Sequence, residues 1–163
     1  MVNKGFTLLE AIVSIFIVTV GLGGVFALVD QTISSSQVVS SKFKATYLAN
    51  EGIELVREIR DSNFLKIHKG ISGVSWDMGL TGCSTGCEAD YNDASLAPSN
   101  YRYLKIGAGF YNYDFGADTV FKRKITITPS GVYILNVSVE VSWQERGGPH
   151  KVTVQENLYN WLE

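Results

Sequence analysis

A chain of 163 residues has room for one domain and a long extra segment, and its 45% hydrophobic content is ordinary once one apolar stretch is set aside. Its formal net charge of −2 argues against a strongly basic surface made for nucleic acid, although a local patch is compatible with it. The first five residues, Met1-Val2-Asn3-Lys4-Gly5, are too few to fold and carry one basic side chain, so residues 1–5 read as a leader. From Phe6 to Val29 the only ionisable side chain is Glu10. About 24 residues at roughly 1.5 Å each make about 36 Å of helix, enough to cross a bilayer. A secretory signal places its small-residue cleavage site after the apolar core, but here Gly5 stands before it. A cut after Gly5 therefore leaves the whole span, residues 6–29, on the mature chain.

Gly21, Gly23 and Gly24 weaken this helix locally, yet no proline occurs before Pro98. Either a soft segment or close packing against neighbouring helices accounts for them. Over residues 30–61 a Ser-rich stretch leads into Phe43, Tyr47, Leu48, Ile53, Leu55, Val56 and Ile59 at three- and four-residue spacing, an amphipathic helix with one buried side. Arg57 is within reach of Glu54, Glu58 and Asp61 on it. Residues 62–100 lose periodicity and read as an ordered, exposed loop region, with one short strand near Val74–Trp76. Trp76 and Tyr91 are expected to anchor that loop to the core, with contact to a partner as the alternative. Cys83 and Cys87 lie close together within it and read as a small disulfide in a compartment outside the membrane.

Residues 101–163 are strands: a hairpin of Tyr101–Ile106 and Phe110–Phe115, then Phe121–Thr128, Val132–Trp143 and Lys151–Leu158, with turns at Pro129-Ser130-Gly131 and Gly147-Gly148-Pro149. Val137, Val139, Val141 and Trp143 alternate with Asn136, Ser138, Glu140 and Ser142, one face for the helix and one for water. The expected fold is α+β, a long N-terminal helix packed on a C-terminal antiparallel sheet of about four or five strands.

The run Lys4-Gly5-Phe6-Thr7-Leu8-Leu9-Glu10, joined to a full-length span, resembles the type IV pilin and pseudopilin family, whose prepilins carry a basic leader ending in Gly, then Phe or Met, then Thr-Leu-(Leu/Ile)-Glu. The resemblance implies that prepilin peptidase cuts between Gly5 and Phe6 and methylates the new amine of Phe6. Glu10 would then pair with a cationic Phe6 amine on a neighbouring subunit, since a carboxylate in hydrocarbon costs on the order of 2.5–3.5 kcal/mol without a partner. Taken alone, Glu10 also suits the first turn of a helix at the membrane surface, where the dipole favours it. The stretch Ala45 to Asp61 is similar to minor pilins of the PilV-like type, with Gly52 placed to let the sheet approach the helix. Gly116 to Ile127 and the strands ending in Leu158-Tyr-Asn-Trp161 are similar to PilV-like and GspI-like components.

These features imply a minor type IV pilin, a non-enzymatic structural subunit without a cofactor. Its partners would be prepilin peptidase, other pilin subunits of the fimbrium, the inner-membrane platform of the assembly machine and membrane lipid. It would sit in the cytoplasmic membrane as a single-pass protein, N-terminus inside, and then in a periplasmic or cell-surface filament. Lys4 against Lys42 and Lys44 leaves the charge tally for orientation near neutral, so the leader and the cysteine pair decide it. A type II secretion pseudopilin is the nearest alternative. An adhesin or DNA-uptake module mounted on a pilin anchor is another, which a basic or aromatic patch on the sheet and loop would favour. Cys83, Cys87, His68 and His150 could in principle make a four-ligand zinc site, but the cysteine spacing fits the short zinc-site patterns better than the distant histidines do, and no metal is expected. Asp90, Asp93 and Asp114 complete no calcium loop, and Asn136-Val-Ser138 falls in a strand.

Overall fold

The computed structural model describes residue 5, residues 7–145 and residues 147–161. The chain divides into two compact units, Met1–Ser40 and Ser41–Glu163. Among the described residues one helix, α1 (Leu8–His68), is followed by eight strands: β1 (Cys87–Glu88), β2 (Ala97–Pro98), β3 (Lys105–Gly107), β4 (Phe110–Asn112), β5 (Ala117–Asp118), β6 (Phe121–Pro129), β7 (Ile134–Glu145) and β8 (Gly148–Tyr159). They form an antiparallel five-stranded sheet in the order β2-β1-β6-β7-β8 and a small three-stranded sheet in the order β4-β3-β5.

In the second unit the helix buries Ala45, Leu48, Ala49, Gly52, Ile53, Leu55, Val56 and Ile59. Facing them are Ile125, Ile127, Val137, Val139, Val141 and Trp143, every second residue of β6 and β7, so the predicted alternation of β7 is the one observed. Gly52 packs as the close-approach reading expects, but against side chains: a Cβ built there would lie 2.8 Å from Val139 Cγ1 and 3.3 Å from Arg123 Cδ.

The helix runs on to His68, past its expected end at Asp61. Asn63 and Phe64 explain the extension. Asn63 Nδ2 donates to the carbonyls of Trp76 and Met78, and the Phe64 ring stacks on Trp76 and meets Trp161. The stop is a Schellman cap: Gly70 at φ 72° donates to the Ile67 carbonyl, and the Ile71 N–H donates to that of Lys66. No strand forms near Val74–Trp76. That segment is turn, and Trp76 is buried as the anchor of the loop.

Two further differences concern the strands. The loop region contributes β1 and β2 to the main sheet, through Cys87 paired with Ile125 and Glu88 with Ala97. The expected Tyr101–Phe115 hairpin is shorter and belongs to the separate small sheet, where β3 pairs with both β4 and β5. The last turn is tighter than expected: Glu145 already pairs with Gly148, so Gly148 and Pro149 lie in β8.

Candidate functional site: the start of the helix and the anchored loop

Thr7 precedes the first helical residue, and its Oγ1 accepts the Glu10 N–H at 3.3 Å. Thr7-Leu-Leu-Glu10 thus has the T-x-x-E spacing of a capping box, and the carboxylate stands in the first turn, where the helix dipole favours it. Beyond it the helix is long and apolar enough to cross a membrane, and none of the most apolar window is buried by the chain itself. Leu8 is 81% exposed and Phe16 67%. Beyond the cap residue Thr7, the two further hydroxyls of the span close on their own helix: Ser14 Oγ donates to the Glu10 carbonyl at 2.7 Å and Thr19 Oγ1 to that of Ile15 at 2.8 Å. In hydrocarbon that leaves no hydroxyl wanting a partner.

Gly5 is exposed, whereas Lys4 and Phe6 lie outside the described residues, and with them the geometry of the expected cleavage and methylation site. Cys83 and Cys87 are joined as a disulfide, and the loop they close is fastened to β6: the Ile127 N–H donates to the Cys83 carbonyl. With both sulfurs in that bond, neither thiolate is available for the zinc alternative.

Next to the disulfide two buried charged groups organise the loop. Glu88 Oε1 accepts from Ser99 Oγ and from the N–H groups of Asn100 and Arg102, while its Oε2 takes the Arg102 Nε at 3.0 Å. Arg123, wholly buried, donates from Nη1 to the Leu48 carbonyl and Glu51, and from Nη2 to the Ala89 carbonyl at 2.6 Å. One guanidinium therefore ties helix, sheet and loop together. Tyr113 lies in the same region, its hydroxyl donating to the Arg123 carbonyl, and burial pushes its phenol up to about 12. On the helix surface Arg57 pairs with Glu54 and, through two nitrogens, with Glu156 of β8. The hydrogen bond to Glu156 chiefly holds its pKa above the usual arginine value. Asp61 pairs with Arg60.

Residues 1–26 match the family model of the prokaryotic N-terminal methylation motif. The chain carries the signature of type IV pilins and pseudopilins. Neither the curated proteins nor the solved structures yield a match. That signature implies processing by prepilin peptidase and assembly with other pilins, and the helix behind it is long and apolar enough to serve as a membrane anchor.

Two residues of this pilin-like chain escape a reading based on apolar spacing. Thr7 is the cap of the helix, and the T-x-x-E spacing is the signal that finds it. Arg123 looks like one more solvated cation among Lys122 and Lys124. Its position, two residues from Phe121 and two from Ile125, puts it on the inward face.

Proposed function

We propose that the chain is a minor type IV pilin, cut between Gly5 and Phe6, methylated on the Phe6 amine and built into a filament through its N-terminal helix. The observation that supports this reading is the conjunction of the methylation motif with a capped, wholly uncovered apolar helix that holds one carboxylate, Glu10, in its first turn. A carboxylate there is costly in lipid and profitable beside an ammonium, so Glu10 sets register against the processed N-terminus of a neighbour. Lys4 leaves with the leader. Residues 6–29 pack the filament core, with lipid as their surroundings before assembly. The unit from Ser41 onward forms the outer surface.

The test is intact mass and N-terminal sequence of the protein from cells with and without prepilin peptidase, alongside a Glu10→Ala variant. A chain beginning at methylated Phe6, with Glu10→Ala processed but absent from sheared filaments, is the expected result. Retention of Met1 to Gly5 in peptidase-positive cells would replace the pilin reading with a plain membrane anchor.

A further inference from the structure

The helix covers one face of the five-stranded sheet, and the opposite face carries a graded chemical pattern. Across β6, β7 and β8 the outward residues stand in four rows: Lys122, Ser142 and Lys151; Lys124, Glu140 and Thr153; Thr126, Ser138 and Gln155; Thr128, Asn136 and Asn157. At one end lie the lysines. The other end is a field of hydroxyls and amides without a formal charge, and the four rows extend about 20 Å along the strands.

The lysine end is built with some care. Glu88 holds the Ser99–Arg102 turn by three hydrogen bonds to one oxygen, and within that turn Tyr101 is kept at φ 55°, a left-handed backbone region unfavourable to a non-glycine residue. The strained turn leaves Tyr101 and Tyr103 54% and 49% exposed beside β6. Lys122 Nζ sits 4.3 Å from the centroid of Tyr103, and Lys124 Nζ 5.8 Å from that of Tyr101. The stem of Lys124 lies across Gly86, where a Cβ would come within 2.8 Å of it. Lys151 is paired with Glu140 at 3.2 Å, whereas among the described residues neither Lys122 nor Lys124 has a carboxylate partner. A ring contact does not take up all three ammonium donors, so both lysines retain hydrogen-bonding capacity.

Two concavities open on this face. One, of about 270 Å³, is lined by Tyr103, Val120, Lys122, Ser142 and Pro149. The other, of about 410 Å³, is lined by Thr126, Thr128, Asn136, Ser138, Gln155 and Asn157, together with Val137 and Glu156, whose carboxylate is paired with Arg57. Two unpaired cations fixed beside aromatic rings suit carboxylates carried on a ring with apolar faces. The hydroxyl and amide field suits a ligand dense in hydroxyls. On this face, two lysines without a carboxylate partner among the described residues, on a chain of net charge −2, are too few to track a phosphate backbone, which favours a sugar acid over a nucleic acid. We infer that the outer face of the sheet binds an acidic polysaccharide, its carboxylates on Lys122 and Lys124 and its hydroxyls on the Asn136, Gln155 and Asn157 field.

The experiment uses the full chain in detergent micelles with polygalacturonate as probe, neutral dextran and a thymidine oligonucleotide as comparisons, and Lys44→Gln on the helix as a control variant. Polygalacturonate should bind with an affinity that falls as salt rises, and dextran at least about tenfold more weakly. Lys122→Gln with Lys124→Gln should lower polygalacturonate affinity about tenfold or more and flatten its salt dependence. Asn136→Ala with Gln155→Ala should weaken binding while keeping that dependence, and Lys44→Gln should leave it unchanged. Unaltered tryptophan fluorescence unfolding shows that each variant is folded. The inference is overturned if polygalacturonate does not bind, if the double lysine variant binds it as well as the parent, or if the oligonucleotide binds as tightly through the same lysines.

Discussion

Gly52 and Val139 set the distance between helix and sheet. A methyl at position 52 would sit 2.8 Å from Val139 Cγ1, and valine in a strand has little rotamer freedom to retreat. Overpacking costs about 1–3 kcal/mol, against which Ala gains about 1 kcal/mol of helix propensity over Gly. Gly52→Ala should therefore destabilise the unit by up to about 2 kcal/mol, and a second change, Val139→Ala, should return part of any loss. Urea unfolding followed by tryptophan fluorescence reads this directly, because Trp76, Trp143 and Trp161 all lie in the Ser41–Glu163 unit. Tyr113 gives a pH prediction with a definite sign. Burial raises its phenol from 10.0 to about 12, so the folded state keeps a proton that the unfolded chain releases. That contribution is complete below pH 10 and is lost as pH rises toward 12. By pH 11 the loss is on the order of 1 kcal/mol, and Tyr113→Phe should flatten the pH dependence of the urea midpoint accordingly.

Among the elements, those with a period were legible and those without one were not. The span, the amphipathic helix and the alternation of β7 are written as spacings of apolar residues, and they appear where those spacings put them. Two-residue strands such as β1 and β2 are too short to show a period. They exist because the disulfide loop is stitched to Ile125 and Ile127, contacts made across nearly forty positions of sequence. The last turns of the helix were missed for a similar reason: Asn63 and Phe64 are held by Trp76 and Met78, while Gly70, the residue that stops the helix, was visible but lay past the apparent break in spacing. Since the bridge closes only a short loop, the pair Cys83→Ser and Cys87→Ser should cost about 2 kcal/mol or less in overall stability. Its larger effect should be faster hydrogen exchange confined to β1 and β2.

For the whole molecule, the division into two units predicts separable phenotypes. Glu10 lies in the first unit, far in sequence from every tryptophan, so Glu10→Ala should leave the fluorescence-detected urea midpoint unchanged within about 0.5 kcal/mol while it alters assembly. A shifted midpoint would mean that the two units do not unfold independently. The candidate site at the start of the helix was readable because its chemistry is carried by adjacent residues, Thr7 to Glu10. The buried tie made by Arg123 was harder to read because its partners, Leu48, Glu51 and Ala89, are brought together only by folding.

The self-satisfied hydroxyls of Ser14 and Thr19 bear on how such a helix changes surroundings. A rod that offers no polar handle is wetted equally well by acyl chains and by the side chains of other helices, so moving its aliphatic surface from one to the other involves little driving force in either direction. On the assembly role proposed above, direction then comes from the one ionisable group of the span, the Glu10 carboxylate. The apolar surface would by itself let such a subunit return to the bilayer as readily as it left, and the neutralisation of that single charge would decide on which side of the exchange it rests.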